Sequence, residues 1–393
     1  MKYIKTNKTL YFLFFIGLSV YLTTFFIKDI YSATLKTRIS PPQFENIRIL
    51  LDSGIKKNLL ISYKSEHPLD VIINDELVFQ IKNKKFNIRT EKEKTLLGTV
   101  EVNDDLVILK LKEKTDYFTY KGHKLFNSIM LSKNSTGKSF LVHLIPLEEY
   151  ITRVLPAEMP LRASRNALKA QAITTRTYST YNILERRIMP YDLTIEAQAF
   201  GPPREELKPV KETTGMVILL KGHIIPAFFH TNCGGFTEYS VNVWRTHYYY
   251  SHIIKCPYCS LAKHFSWKAS FTFKKIEKSL QKAGYKIRDI SGIYSHSVTP
   301  ETHRTTKVMI RSRRRKPLIM TANTFRLLIS HRDLKSTFFT IKNYNDHVEF
   351  IGKGYGHGVG MCQDGAQEMA RQGKTIDEII QFYFPETKIQ KIY

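Results

Sequence analysis

Acidic side chains are scarce in this chain. Against 60 Lys and Arg there are only 35 Asp and Glu in 393 residues, a formal charge of +25. The excess points to an anionic partner, whether nucleic acid, an anionic membrane face or an acidic polymer such as cell-wall glycan; a lysine-rich solvated surface is the plain alternative. Helix-turn-helix, zinc-finger and RNP patterns are all missing, so no nucleic acid is expected as partner. A Gly-Lys-Ser/Thr phosphate cradle is missing too, which argues against nucleotide chemistry, and there is no internal repeat. Apolar material is not lacking: 42% hydrophobic and 12% aromatic residues suffice for two or three compact domains and exclude a disordered chain.

One long uncharged run stands out. Lys2, Lys5 and Lys8 precede residues 9–27, which are mostly Leu, Phe, Ile, Tyr and Thr. As a helix those 19 residues would span about 28 Å, near the hydrocarbon thickness of a bilayer. Bulky Tyr31 lies two residues before Ala33, a poor cleavage site, so an uncleaved anchor is expected, with a cleaved signal peptide as the alternative. Three lysines before the run against Lys28 just after it put residues 1–8 in the cytoplasm and the bulk of the chain outside it. The expected location is the bacterial cytoplasmic membrane, single-pass.

Residues 28–44 read as a linker containing Ser40-Pro41-Pro42. From 45 to 141, short runs alternate apolar and polar residues between turn steps such as Ile73-Asn74-Asp75, predicting a β-rich domain. From 142 to 393 the pattern is mixed. Residues 147–155 predict a helix stopped near Pro156, and residues 164–187 a second with Ser164 as N-cap. A hairpin turning at Lys221-Gly222 follows. The basic stretch at 311–316 predicts a turn or exposed strand pair, and helices are expected from Cys362 to Arg371 and from Thr375 to Tyr383. The fold class is α+β: a mixed catalytic domain with β-rich insertion, preceded by a transmembrane helix.

Glu158 sits alone in the apolar string Leu155-Pro156-Ala157-Glu158-Met159-Pro160. On the next helix Arg165, Lys169, Ala172 and Arg176 share one face by their spacing, which makes that face basic. Further on, five glycines surround His357 between 352 and 360, a loop on which backbone can approach a ligand closely. The cysteines suggest a metal: His230 and Cys233, then Cys256 and Cys259, give the H-x2-C and C-x2-C steps of a zinc site. A disulfide is the rival outside the cytoplasm, and the glutaredoxin-like reading of Cys256-Pro257-Tyr258-Cys259 lacks its βαβ setting. Cys362, five residues after His357, reads as a small buried residue opening a helix rather than as a nucleophile.

Four blocks, at 154–160, 167–178, 228–244 and 354–385, together resemble the stage II sporulation protein D family, which also includes proteins described as amidase enhancers. The resemblance covers roughly residues 142–390. It implies a membrane-anchored lytic transglycosylase that cuts the MurNAc-GlcNAc β-1,4 bond of peptidoglycan, prefers strands stripped of stem peptides by an amidase, and leaves 1,6-anhydroMurNAc ends. By the same resemblance Glu158 is the acid and base. Lys169, Arg176, His357 and Gln363 are substrate contacts, and Gly356, Gly358 and Gly360 make room for the strand. The resemblance weakens His230 as a metal ligand, leaves His264 as alternative fourth, and makes any zinc structural. A non-catalytic amidase enhancer and a cationic wall-binding scaffold are the competing functions.

Overall fold

The structure is a computed structural model describing residues 44–55, 59–91, 94–199, 201–202 and 204–393. The expected cytoplasmic tail, the apolar run at 9–27 and the linker up to residue 43 lie outside the described residues. No helix among those described is long and apolar enough to cross a membrane.

The described residues between 46 and 146 are strands joined by turns, as the alternation predicts. Seven strands form one sheet in the order Leu193–Thr194, Asn46–Ser53, Ser139–Pro146, Ser128–Lys133, Leu106–Lys110, Leu69–Ile73, Glu76–Ile81. Six more, among them Leu59–Lys64, Lys85–Thr90 and Tyr117–Tyr120, form a second sheet. Alternate residues such as Ile61, Val71, Ile88, Leu109, Phe118 and Ile129 meet in a common core. Asn74 and Asp75 both take positive φ, 51° and 65°, in the two-residue turn that the sequence marks. Lys221 and Gly222 do the same at 50° and 84°.

Ser139–Pro146 leads directly into the helix Leu147–Glu158, and Leu193–Thr194 returns to pair beside Asn46–Ser53. The strand region and the helical region therefore share one sheet. Against it pack Leu147–Glu158 and the long helix Arg165–Glu185, through Ile151, Val154, Leu155, Leu168 and Ala172. The first helix ends near Pro156 as expected, two residues past it at Glu158, with the proline in the last turn. The missing N–H removes the i to i−4 bond to Thr152, and near the same end of the helix the Arg153 carbonyl accepts from the N–H of Gly201 at 3.0 Å. Ser164 occupies the N-cap position of the long helix without capping it by its side chain; its backbone N–H donates to Gln367 Oε1 at 2.8 Å.

Residues 266–353 build two three-stranded sheets and the helices Phe273–Lys282 and Ala322–Ser330 around a separate core that includes Ile276, Ile293, Val308, Phe325 and Phe350. Thr272 and Thr321 cap those helices with their hydroxyls. The basic residues 313–316 are exposed in the turn between Thr305–Ser312 and Leu318–Thr321. The chain ends with the helices Gln363–Arg371 and Ile376–Tyr383, the latter opened by a Thr375/Glu378 capping box. A short parallel pairing joins Phe229–His230 to Met361–Cys362. It brings two blocks 130 residues apart in sequence next to Glu158.

Candidate active site

Glu158 is the last residue of its helix. The segment that donates to the Arg153 carbonyl also serves its carboxyl: the N–H of Ala199 donates to Oε1 at 2.8 Å. Burial raises the pKa of Glu158; this hydrogen bond and one from the Gln363 side chain oppose that shift. Lys169 and Arg176 play no part in it.

The carboxyl opens onto a cleft of about 290 Å³ whose walls include Tyr178, Gln198, Phe228, Trp244, Tyr355 and His357. The aromatic rings pack in a chain: Tyr178 to Phe228 at 5.6 Å, Phe228 to Trp244 at 4.5 Å, Trp244 to His357 at 4.9 Å between centroids. Glu158 is the only carboxylic acid among the described residues lining this cleft. His357 Nδ1 accepts from the N–H of Val359 at 3.0 Å. Burial pushes its pKa well down, with His230, Arg326 and Arg304 adding to the effect, so it is a neutral imidazole with its proton on Nε2. His230 is also neutral, its pKa pushed down to about 3 by burial and by Arg304. Its Nδ1 faces the Val359 carbonyl at 3.1 Å, and its Nε2 is buried without a hydrogen-bond partner among the described residues.

Of the residues expected at the site, Glu158, Gly356, His357 and Gln363 line this cleft. Lys169 and Arg176 do not. Lys169 Nζ lies 2.6 Å from Glu212 Oε2, with Arg165 on the same carboxylate. Arg176, fully buried, donates to both oxygens of Glu148 at 2.7 Å and to the Met216 carbonyl at 3.2 Å. The helical spacing is correct, but the basic face turns toward these acids. Gln171 and Tyr178, each two residues on and so about 200° round the helix, face the cleft side: Gln363 Nε2 donates to Gln171 Oε1 at 3.3 Å, and Tyr178 lines the cleft. Gly358 and Gly360 also serve the interior rather than the cleft. A Cβ on Gly358 would come within 2.8 Å of the Arg304 guanidinium, and one on Gly360 would strike the Phe228 carbonyl.

The cysteine cluster differs from the expected one by one ligand. Cys233, Cys256, Cys259 and Cys362 are all buried, with every Sγ within 4.8 Å of the others. His230 faces the cleft and is not in this group, and His264 lies instead with Nδ1 3.3 Å from Lys335 Nζ. Cys362 is therefore the fourth member; it opens the helix as expected, accepting from the N–H of Gly365 at 3.4 Å and from that of Cys233 at 3.3 Å. Tyr383 Oη lies 3.3 Å from Cys256 Sγ. A Cβ on Gly365 would meet Tyr383 Oη and approach Cys256 Sγ to 3.0 Å, so only glycine leaves room there. Four thiols with N–H and O–H donors around them suit a tetrahedral soft-metal site with Zn–S of about 2.3 Å.

The aromatic wall was not read from sequence. Its one cue was composition: Trp244 is one of two tryptophans in the chain. Ala197, Gln198 and Ala199 gave no cue, because their role comes from how the chain passes the end of the Glu158 helix.

Comparison with known proteins gives the family. A family model described as Stage II sporulation protein matches residues 135–220, and a domain of unknown function matches residues 258–360. An uncharacterised protein of Brachyspira hyodysenteriae is 32% identical over 281 residues, 69% of this chain and 74% of that protein. The stage II sporulation protein D of Bacillus subtilis is 30% identical over 279 residues, 64% of this chain and 76% of the relative. The amidase enhancer of Bacillus subtilis is 28% identical over 285 residues, covering 39% of that protein. The chain belongs to the stage II sporulation protein D family.

Proposed function

We propose that the chain is a peptidoglycan lytic transglycosylase that cuts the β-1,4 bond between N-acetylmuramic acid and N-acetylglucosamine. The observation that carries this reading is Glu158, its pKa raised by burial, as the one carboxyl among the described residues lining the aromatic-walled cleft; Asp364, in the adjoining space, is bound by the Asn232 amide. A hydrolase of such a bond canonically uses two acids flanking it. A transglycosylase needs one, because the sugar supplies its own nucleophile.

In this reading Glu158 donates its proton to the bridging oxygen as the bond from C1 to O4 breaks. The C6 hydroxyl of the same muramyl residue closes onto C1, and Glu158 accepts the hydroxyl proton, which restores the acid and leaves a 1,6-anhydro end. Burial supports the first step by favouring the protonated form of the carboxyl. The Ala199 N–H and the Gln363 side chain hold it in place for the second. Tyr178, Phe228 and Trp244 offer flat faces for sugar rings.

The four cysteines fit a structural zinc ion. It would clamp the segments at 233, 256–259 and 362 together, and it takes no part in proton transfer. The rest of the assignment follows the sequence: an anchor at 9–27, a β-rich domain at 45–141, the catalytic domain at 142–393 outside the cytoplasmic membrane, and an amidase that supplies stripped strands. The amidase enhancer relative supports a second reading, in which the chain stimulates an amidase without cutting glycan.

The deciding experiment incubates the full chain with amidase-treated strands, beside a Glu158→Gln control, and reads the products by mass spectrometry. Anhydro ends that vanish in the control are expected. A folded, strand-binding protein that makes no new ends would favour the enhancer.

A further inference from the structure

Away from the Glu158 cleft, the strand Ser266–Thr272 is the edge of a three-stranded sheet, beside His347–Lys353 with Phe339–Asn343 beyond. It pairs with its neighbour in unbroken register, without bulge or proline. The Phe265 carbonyl accepts from the Gly354 N–H at 2.8 Å, and the Phe273 N–H donates to the Asp346 carbonyl at 2.9 Å. Ladder bonds therefore fall on the odd-numbered residues, and Ser266, Lys268 and Ser270 turn their N–H and C=O groups outward from the sheet. Among the described residues nothing pairs with that outer row.

A groove of about 540 Å³ follows this edge. Residues 266–271 all line it, so it runs the length of the strand, about 20 Å. Its other lining residues are Lys275, Arg332, Asp333 and Lys335. These three cations have no carboxylate partner among the described residues: Lys275 lies 5.0 Å from the Phe271 ring centroid, and Lys335 Nζ is 3.3 Å from His264 Nδ1. Lys268 differs, being held by Glu349 at 2.5 Å. Asp333, the one acid, accepts from Ser330 Oγ at 2.8 Å. The indole N–H of Trp267, also in the lining, is buried and lacks a hydrogen-bond partner among the described residues.

Exposed edges invite another chain, and proteins usually blunt them with a proline, a bulge or a covering segment. This one keeps a straight ladder beside an open groove. Alternating donors and acceptors at strand spacing match a polypeptide backbone, which a sugar chain does not reproduce. The cations select the kind of polypeptide. Residues 28–43 of this chain carry Lys28, Lys36 and Arg38 against Asp29 and do not suit the groove, and a second copy of the same edge would set like charges side by side.

The geometry points to a docking site for an extended, acidic segment of a partner protein, added to Ser266–Thr272 as a fourth strand. Its backbone pairs with Ser266, Lys268 and Ser270, and its carboxylates meet Lys275, Arg332 and Lys335. The Lys335 carbonyl accepts from the N–H of Gly356 at 2.8 Å, so the partner is held beside the loop that lines the Glu158 cleft. The site does not depend on the glycan reading above.

The probe is a labelled peptide of alternating Thr and Glu, about eight residues to match the strand, titrated into the full-length chain. A Thr-Lys counterpart and amidase-stripped glycan strands are the controls. Bound Thr-Glu peptide should slow amide hydrogen exchange at Ser266, Lys268 and Ser270 roughly tenfold or more, while Trp267, Ala269 and Phe271, already in the ladder, change little. R332Q should weaken binding about tenfold, the worth of one charge-assisted hydrogen bond. S270P, which removes an outward N–H and spares the ladder, should also weaken it. No binding at roughly millimolar peptide, or binding that leaves those three amides unprotected, overturns the proposal. Equal binding of the Thr-Lys peptide, or indifference to R332Q, does the same. Protection given by glycan strands and not by the peptide also overturns it and assigns the groove to glycan.

Discussion

The backbone N–H of Ala199 donates to Glu158 Oε1 at 2.8 Å, from a segment that also binds the end of the same helix through the Gly201 N–H and the Arg153 carbonyl. A hydrogen bond of this kind favours the ionised carboxylate, and burial favours the protonated acid; burial is the larger effect, and the pKa is raised.

A raised carboxyl pKa fixes the sign of two measurements. Activity that needs the acid form should be lost as pH rises through the raised value, so kcat/KM for strand cleavage should have a basic limb assignable to Glu158. Stability linked to this group is present below the unfolded carboxyl pKa and is lost as pH rises through the folded one. Glu158→Gln is therefore expected to cost at least about 100-fold in cleavage with no fall in Tm at pH 7. A Tm several degrees lower would mean that Glu158 serves the fold instead.

Arg176 should behave as a structural residue. Arg176→Ala leaves the half-buried Glu148 carboxylate with Tyr393 as its remaining strong donor, at a cost of about 2–3 kcal/mol, the worth of hydrogen bonds to a charged group that water reaches in part. Lys169→Ala should change stability by less than about 1 kcal/mol, because Arg165 stays on Glu212. Denaturation and strand binding measured on both variants check this. Strand binding lost from either variant with Tm unchanged would return that residue to the substrate.

The cysteine cluster predicts its own ligand test. Purified chain should carry about one zinc, the stoichiometry of a single four-thiol site. Cys362→Ser should lower that content and the Tm, whereas His230→Ala should leave the metal in place. A Cys256–Cys259 disulfide in a metal-free chain would sink the assignment.

Trp244 stands 4.9 Å from His357 in the aromatic arm. Trp244→Ala is expected to raise KM for stripped strands roughly 2- to 10-fold, the worth of one ring contact, with kcat much less affected. A loss confined to kcat would place Trp244 with the reacting atoms rather than with strand binding.

Much of the local structure was legible because it is set by local rules. The Asn74-Asp75 and Lys221-Gly222 turns take the positive φ that their residue types tolerate. Thr375 and Glu378 form a capping box where the last helix was expected to start. Pro156 marked the helix end to within two residues, Glu158 being the last, but the distant Gly201 N–H that meets the Arg153 carbonyl there is a contact no local pattern reports. Cys362 misled. Its spacing from Cys256 and Cys259 means nothing until the Phe229–His230 and Met361–Cys362 strands pair.

The sequence by itself determined the residue types of the site: a lone Glu among apolar neighbours, a glycine loop around His357, and cysteines at chelating steps. These are facts of composition and short spacing, and the chain's 3.6-residue helical period even placed Lys169 and Arg176 correctly on one face. Which way that face points was decided by tertiary structure alone. Glu148 and Glu212, at distant positions, bind the two cations more closely than the cleft does, and Gln171 and Tyr178 are turned toward Glu158 in their place. A helix's period fixes which residues share a side, but only the partners that pack against it decide which side meets the substrate.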